Sequence, residues 1–208
     1  MQMTETRNDT TDIAWMRQLA EEGGRSPMRG AAILMAAGVI FGCASLVHWA
    51  VASGLVTMPT AAFNLLWLAA TGLFLMIVVG VSVRLRRVGG VRTTAARGAS
   101  AAWTAVGWGI FALFTSLAVI GSRMGAEGLP MMFSLIPSVI MAFYGLGWSV
   151  TATLQKSRPL SVLAIASFLA APLLALMAGM AAQYLAYAAA LFGLMALPGL
   201  LLMRSAKA

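Results

Sequence analysis

Val83–Gly98 reads VRLRRVGGVRTTAARG, with five arginines (Arg84, Arg86, Arg87, Arg92, Arg97), no acid, and a long apolar run on either side. Short loops rich in arginine stay on the cytoplasmic side of a bilayer, because moving guanidinium groups through hydrocarbon is costly. This stretch therefore sets the direction of every apolar run before and after it.

The flanking sequence leaves little choice of solvent. Of 208 residues, 61% are hydrophobic and 10% charged, and the mean hydropathy is +0.88. Soluble domains carry about 25% charged residues. Six uncharged runs each approach the roughly 20 residues that a hydrocarbon core requires of a helix. The expected fold is an all-α membrane protein of six transmembrane helices, paired as three helical hairpins, at residues 31–52, 61–83, 101–122, 131–154, 160–179 and 183–203. These make up a transmembrane domain, 30–204, interrupted by a basic cytoplasmic loop at 84–100 and preceded by a cytoplasmic tail at 1–29.

Charge placement orients the domain. With the N-terminus inside, the inner segments hold Arg7, Arg17, Arg25, Arg29, the five loop arginines, Lys156, Arg158, Arg204 and Lys207, leaving only Arg123 outside. Both termini are thus expected in the cytoplasm. Residues 1–28 are polar and lack an apolar core, so the first span is expected to act as an uncleaved insertion signal. The abundance of alanine, glycine and arginine over lysine suggests a GC-rich bacterial genome, hence the inner (plasma) membrane. The formal charge of +8 does not point to nucleic acid, since the basic residues gather at the ends of apolar runs.

Within the tail, Asp12–Glu22 (DIAWMRQLAEE) has the period of a short amphipathic helix, with Asp12 or Thr11 as N-cap and Gly23-Gly24 as its stop. So short a helix is marginal alone in water and needs a surface to lie on. Trp15, Met16 and Leu19 are the candidate contacts to lipid or a partner protein, together with Arg84, Arg86 and Arg87 of the basic loop.

A weak internal repeat runs at an offset of about 70 residues. Ala31-Ala32 and Ile40-Phe41 align with Ala101-Ala102 and Ile110-Phe111, and Met58-Pro59 with Leu129-Pro130. The first two hairpins are then copies in one orientation.

Candidate chemistry is sparse. All six acids (Glu5, Asp9, Asp12, Glu21, Glu22, Glu127) lie outside the apolar runs, so an intramembrane proton relay or acid–base pair has no residues to use. One cysteine, Cys43, and one histidine, His48, exclude a bis-histidine haem and any multi-cysteine metal site. No cofactor and no metal are expected. Cys43 reads as a small buried thiol, and the 15 methionines read as adaptable packing.

His48 is the one side chain in the spans that ordinarily titrates near neutrality. It lies one helical turn, about 6 Å, from the end of the first span. Ser45 is one turn from His48, Asn64 returns at similar depth, and Ser134 is its repeat counterpart. A hydrogen bond between helices is the plain expectation. The sharper one is a polar pocket near the outer face, formed by His48, Asn64, Ser45, Ser134, Tyr184 and Tyr187, with Thr115, Ser138 and Gln183 nearby.

Small residues recur every four positions at Gly38/Gly42, Ala105/Gly109 and Gly145/Ser149/Thr153, spacing that lets helices approach closely. Pro137 and Pro172 are expected to kink their spans, and Trp49, Trp67, Trp103 and Trp148 to sit in interfacial belts. The functional expectation is a non-enzymatic accessory or regulatory protein that contacts a partner or lipid through its cytoplasmic helix and basic loop. Oligomerisation is compatible with it. The alternative is a channel or facilitator for small neutral solutes.

Overall fold

The computed structural model describes residues 30–88, 93–124 and 129–205. The expected tail helix, with Trp15, Met16 and Leu19, and the loop residue Arg92 lie outside these. Among the described residues there is helix and no strand. Apolar side chains with few polar neighbours leave the backbone to satisfy its own hydrogen bonds, and the helix does this within each segment.

The helices are α1 (Ala31–Ala52), α2 (Thr60–Val88), α3 (Thr94–Met124), α4 (Leu129–Ser134), α5 (Ile136–Gln155), α6 (Arg158–Leu176), α7 (Ala182–Leu191) and α8 (Leu197–Ser205). A single π turn, Phe192–Ala196, joins α7 to α8. Grouped by length and hydropathy, they give six segments able to cross a membrane, the fourth made of α4 and α5 and the sixth of α7, the π turn and α8.

Helical order enters the segment expected to be loop. α2 runs through Arg84, Arg86 and Arg87 to Val88, and α3 starts at Thr94, so residues 84–88 and 94–100 are helical rather than loop. Arginine is a good helix former, and its charge is favoured at a helix C-terminus, where the backbone dipole is negative. Thr93 caps α3 by accepting the Ala96 N–H at 3.1 Å on its hydroxyl. At 29 and 31 residues, α2 and α3 reach about 43 and 46 Å, well past the ~30 Å hydrocarbon thickness.

Side by side, the neighbour order is α2, α1, α7–α8, α6, α5, α3. The contacts also give direction. Gly38 and Gly42 of α1 meet Ala196 and Phe192, so α1 is antiparallel to the last segment. Ser138 and Gly145 of α5 meet Ala171 and Phe168 of α6, while Gly147 and Gly109 meet Trp103 and Phe143 across the α3–α5 pair. Successive segments alternate, and seven of the eight described basic residues (Arg84, Arg86, Arg87, Arg97, Lys156, Arg158, Arg204) fall at one end. Only Arg123 falls at the other.

α1, α5, α6 and α7–α8 make the core, whose fully enclosed side chains include Trp148, Met141, Leu191 and Met195. α2 and α3 lie at the two flanks. Only 6% of the apolar window of each is buried, against 44% for α1 and for α4–α5. The halves of the expected repeat therefore occupy unlike places: α1 is central where α3 is peripheral, and α2 is peripheral where α5 is central.

Three further local expectations change. Pro137 kinks nothing, because the fourth segment breaks at Leu135 and Pro137 falls in the first turn of α5, where its missing N–H is harmless. Trp148 is wholly buried, not interfacial, and Trp103 packs edge-on against it at 5.1 Å. Cys43 is exposed on the outside of α1. Pro172 does lie inside α6, as its position implies.

Candidate functional site

The end of the bundle away from the basic residues holds the histidine. His48 sits on α1, one turn before Ser53, where Gly54 takes φ +73° and turns the chain toward α2. A residue with a Cβ adopts that conformation at a cost, which is why glycine stands there. The turn brings Met58 and Thr60 back over His48, and the first turns of α2 present Phe63 and Trp67 to its ring. α7 starts at the same level and supplies Tyr184.

Three aromatic rings fix the imidazole. Tyr184 stacks on it, with centroids 3.4 Å apart and planes 22° apart, while Phe63 and Trp67 meet it edge-on at 4.6 and 5.9 Å. Aromatic pairs of this kind contribute about 0.5–1.5 kcal/mol beyond area burial. Beside the ring is a cavity of about 210 Å³ lined by His48, Val51, Ala52, Met58, Thr60 and Phe63. Among the described residues the expected hydrogen bond between helices is not made. Nδ1 of His48 is sealed without a partner, and so is the hydroxyl of Ser45 one turn away on α1. Each such group costs about 1–3 kcal/mol relative to a satisfied one.

The six expected pocket residues separate. His48 and Tyr184 are brought together, and Ser45 is buried on the same helix. Asn64 points away, exposed, with no hydrogen bond among the described residues. Ser134 is buried in α4 and donates to the Met131 carbonyl at 2.6 Å, and Tyr187 is enclosed in the core. Ser138 serves structure, donating to the Ala171 carbonyl at 2.7 Å, and Thr115 bonds its own helix at Phe111.

Gln183 has a structural part that its position alone does not reveal. Fully buried, it donates from Nε2 to the carbonyl of Ser134 at 2.6 Å and to that of Leu174 at 3.0 Å. It thus satisfies the carbonyl exposed by the α4–α5 break and one at the end of α6. A second polar–backbone link crosses the middle. Pro198 has no N–H to offer the carbonyl of Leu194, four residues earlier, and Trp148 Nε1 donates there instead at 3.1 Å. A proline within the run 183–203 was the available sequence signal for the π turn beside it.

At the basic end, a cleft of about 150 Å³ between α5 and α6 is lined by Ser149, Thr153, Ser161, Ile165 and Phe168. Two of its three hydroxyls are already engaged, Thr153 donating to the Ser149 carbonyl at 2.9 Å and Ser161 to that of Ser157 at 3.3 Å. Arg84, Arg86 and Arg87 are on the last turns of α2, and the Arg97 guanidinium reaches the Thr94 hydroxyl at 3.4 Å. Among the described residues no group of three or more His, Cys, Asp or Glu could hold a metal ion. No known protein family, curated protein or solved structure matches this chain.

Proposed function

We propose that this is a non-enzymatic accessory protein of the bacterial inner membrane, with both termini in the cytoplasm, that binds a membrane-embedded protein partner through α2 and α3. The observation that carries this reading is the chemistry of the outward faces of those two helices. In lipid, apolar exposure drives no association, and helices pair through small residues that allow close approach and polar residues that bond across. α2 turns Asn64, Thr71 and Gly72 outward, and α3 turns Thr104, Gly107 and Ser116 outward. Nothing lies within 4 Å of where a Cβ would stand on Gly72 or Gly107. α2 and α3 also expose large apolar side chains such as Leu68, Met76, Trp108 and Phe111, but on α6 the outward residues beyond Ser161 are nearly all large: Val162, Ile165, Phe168, Leu169, Leu173 and Leu176.

The arginines at the basic end of α2 and α3, with the tail residues Trp15, Met16 and Leu19, extend the same contact to the cytoplasmic surface of the partner and to anionic lipid. Each surface arginine contributes about 1 kcal/mol to attraction toward anionic headgroups. The interior supports this reading over a conduit, since Trp148, Met141, Leu191 and Met195 fill the middle of the bundle.

Photo-crosslinking amino acids placed in cells at Leu68, Met76, Trp108 or Phe111, and at Val162 or Leu173 on α6, test the proposal. Discrete protein adducts are expected from the α2 and α3 positions and lipid adducts alone from α6. Equal patterns from all six positions would remove the partner surface.

A further inference from the structure

We infer that the cavity at the α1–α2 turn is a binding site for a small uncharged amphiphile, one with a single hydroxyl or carbonyl head and a short apolar body. The inference is independent of the partner surface on α2 and α3.

The lining chooses the chemistry. No charged residue contributes to it, and Val51, Ala52, Met58 and Phe63 are apolar. Two residues with polar side chains, His48 of α1 and Thr60 of α2, line it. Of the ring nitrogens, Nδ1 is sealed, so Nε2 is the one a ligand reaches. Nε2 has no hydrogen-bond partner among the described residues. A neutral imidazole nitrogen donates or accepts according to its tautomer, so it suits either a carbonyl or a hydroxyl head.

Size and position narrow the class. The pocket is open on one side, and its volume of about 210 Å³ lies below the range of drug-sized pockets, which favours a small ligand. The site is one helical turn from the end of α1, about 6 Å, at the depth where a molecule with one polar end rests in a bilayer. The ring is held in advance by Tyr184, Phe63 and Trp67, so binding does not have to order it. A sealed nitrogen without a partner is tolerated where the same side chain has work to do at its other edge.

The test uses the full-length protein in nanodiscs and azi-octanol, a photoactivatable eight-carbon alcohol, with adducts mapped by mass spectrometry. Adducts are expected to concentrate on the peptide Val51–Phe63 and to be competed by octanol. His48→Phe keeps the ring stack, removes both nitrogens and should lower labelling there at least tenfold. Thr60→Val should lower it severalfold, and Met58→Trp, which fills the space without touching the stack, should abolish it. If His48→Phe does not fold, the other two variants decide. Adducts spread over α2, α3 and α6 in proportion to exposure would mean bulk partitioning only, and labelling unchanged in Thr60→Val and Met58→Trp would equally overturn the site.

Discussion

Single positions in this bundle differ sharply in what they tolerate, and two glycines make the point. A Cβ on Gly38 would overlap the backbone of Ala196, whereas one on Gly107 would meet nothing within 4 Å. Alanine is favoured over glycine in a helix interior by about 0.8–1.0 kcal/mol, and overpacking costs about 1–3 kcal/mol. Gly107→Ala is therefore expected to hold or raise the thermal midpoint in detergent, and Gly38→Val to lower it clearly. The spacing Gly38/Gly42 was legible in the sequence as a close-packing stripe, but nothing in it named the last segment as the partner. Every helix here is rich in small residues, so the choice rests on three-dimensional fit. His48 was legible for a different reason, being alone in its chemistry. Its companions were harder: Tyr184 joins it, while Asn64, at matching depth, rotates outward because depth along a helix does not fix the face.

At the scale of elements, the π turn and the broken fourth segment show how polar side chains repair an irregular backbone in an apolar medium. Trp148→Phe removes the donor to the Leu194 carbonyl. Hydrogen bonds in membranes contribute about 0.6 kcal/mol on average and up to about 1.7. The Trp148→Phe loss, read from unfolding in mixed micelles, should include this contribution together with the cost of a smaller ring at a fully buried position. It should shrink in a Pro198→Ala background, where a backbone N–H becomes available to the same carbonyl. Equal losses in both backgrounds would uncouple the two residues. The six apolar segments follow directly from hydropathy, because hydrocarbon thickness sets their minimum length. Their internal breaks do not, since a six-residue α4 and a π turn are decided by where Gln183 and Trp148 can reach. The extent of α2 and α3 was also hidden, as arginine reads as a loop by charge and as a helix by propensity.

For the molecule as a whole, the gathering of basic residues at one end yields a direct test of orientation. In a Cys43→Ala background, a cysteine at Arg123 should react with a membrane-impermeant maleimide in intact cells. One at Arg97 should react only after lysis. The reverse pattern would invert the proposed topology and put the His48 cavity on the cytoplasmic side. The neighbour order has a further effect on how the protein is made. Four membrane-crossing segments are made between α1 and the surface that fits its glycines, Phe192 to Gly199. The first and sixth segments thus close on each other. A product cut short before Phe192 would keep the first five spans but lack the surface on which α1 packs most closely.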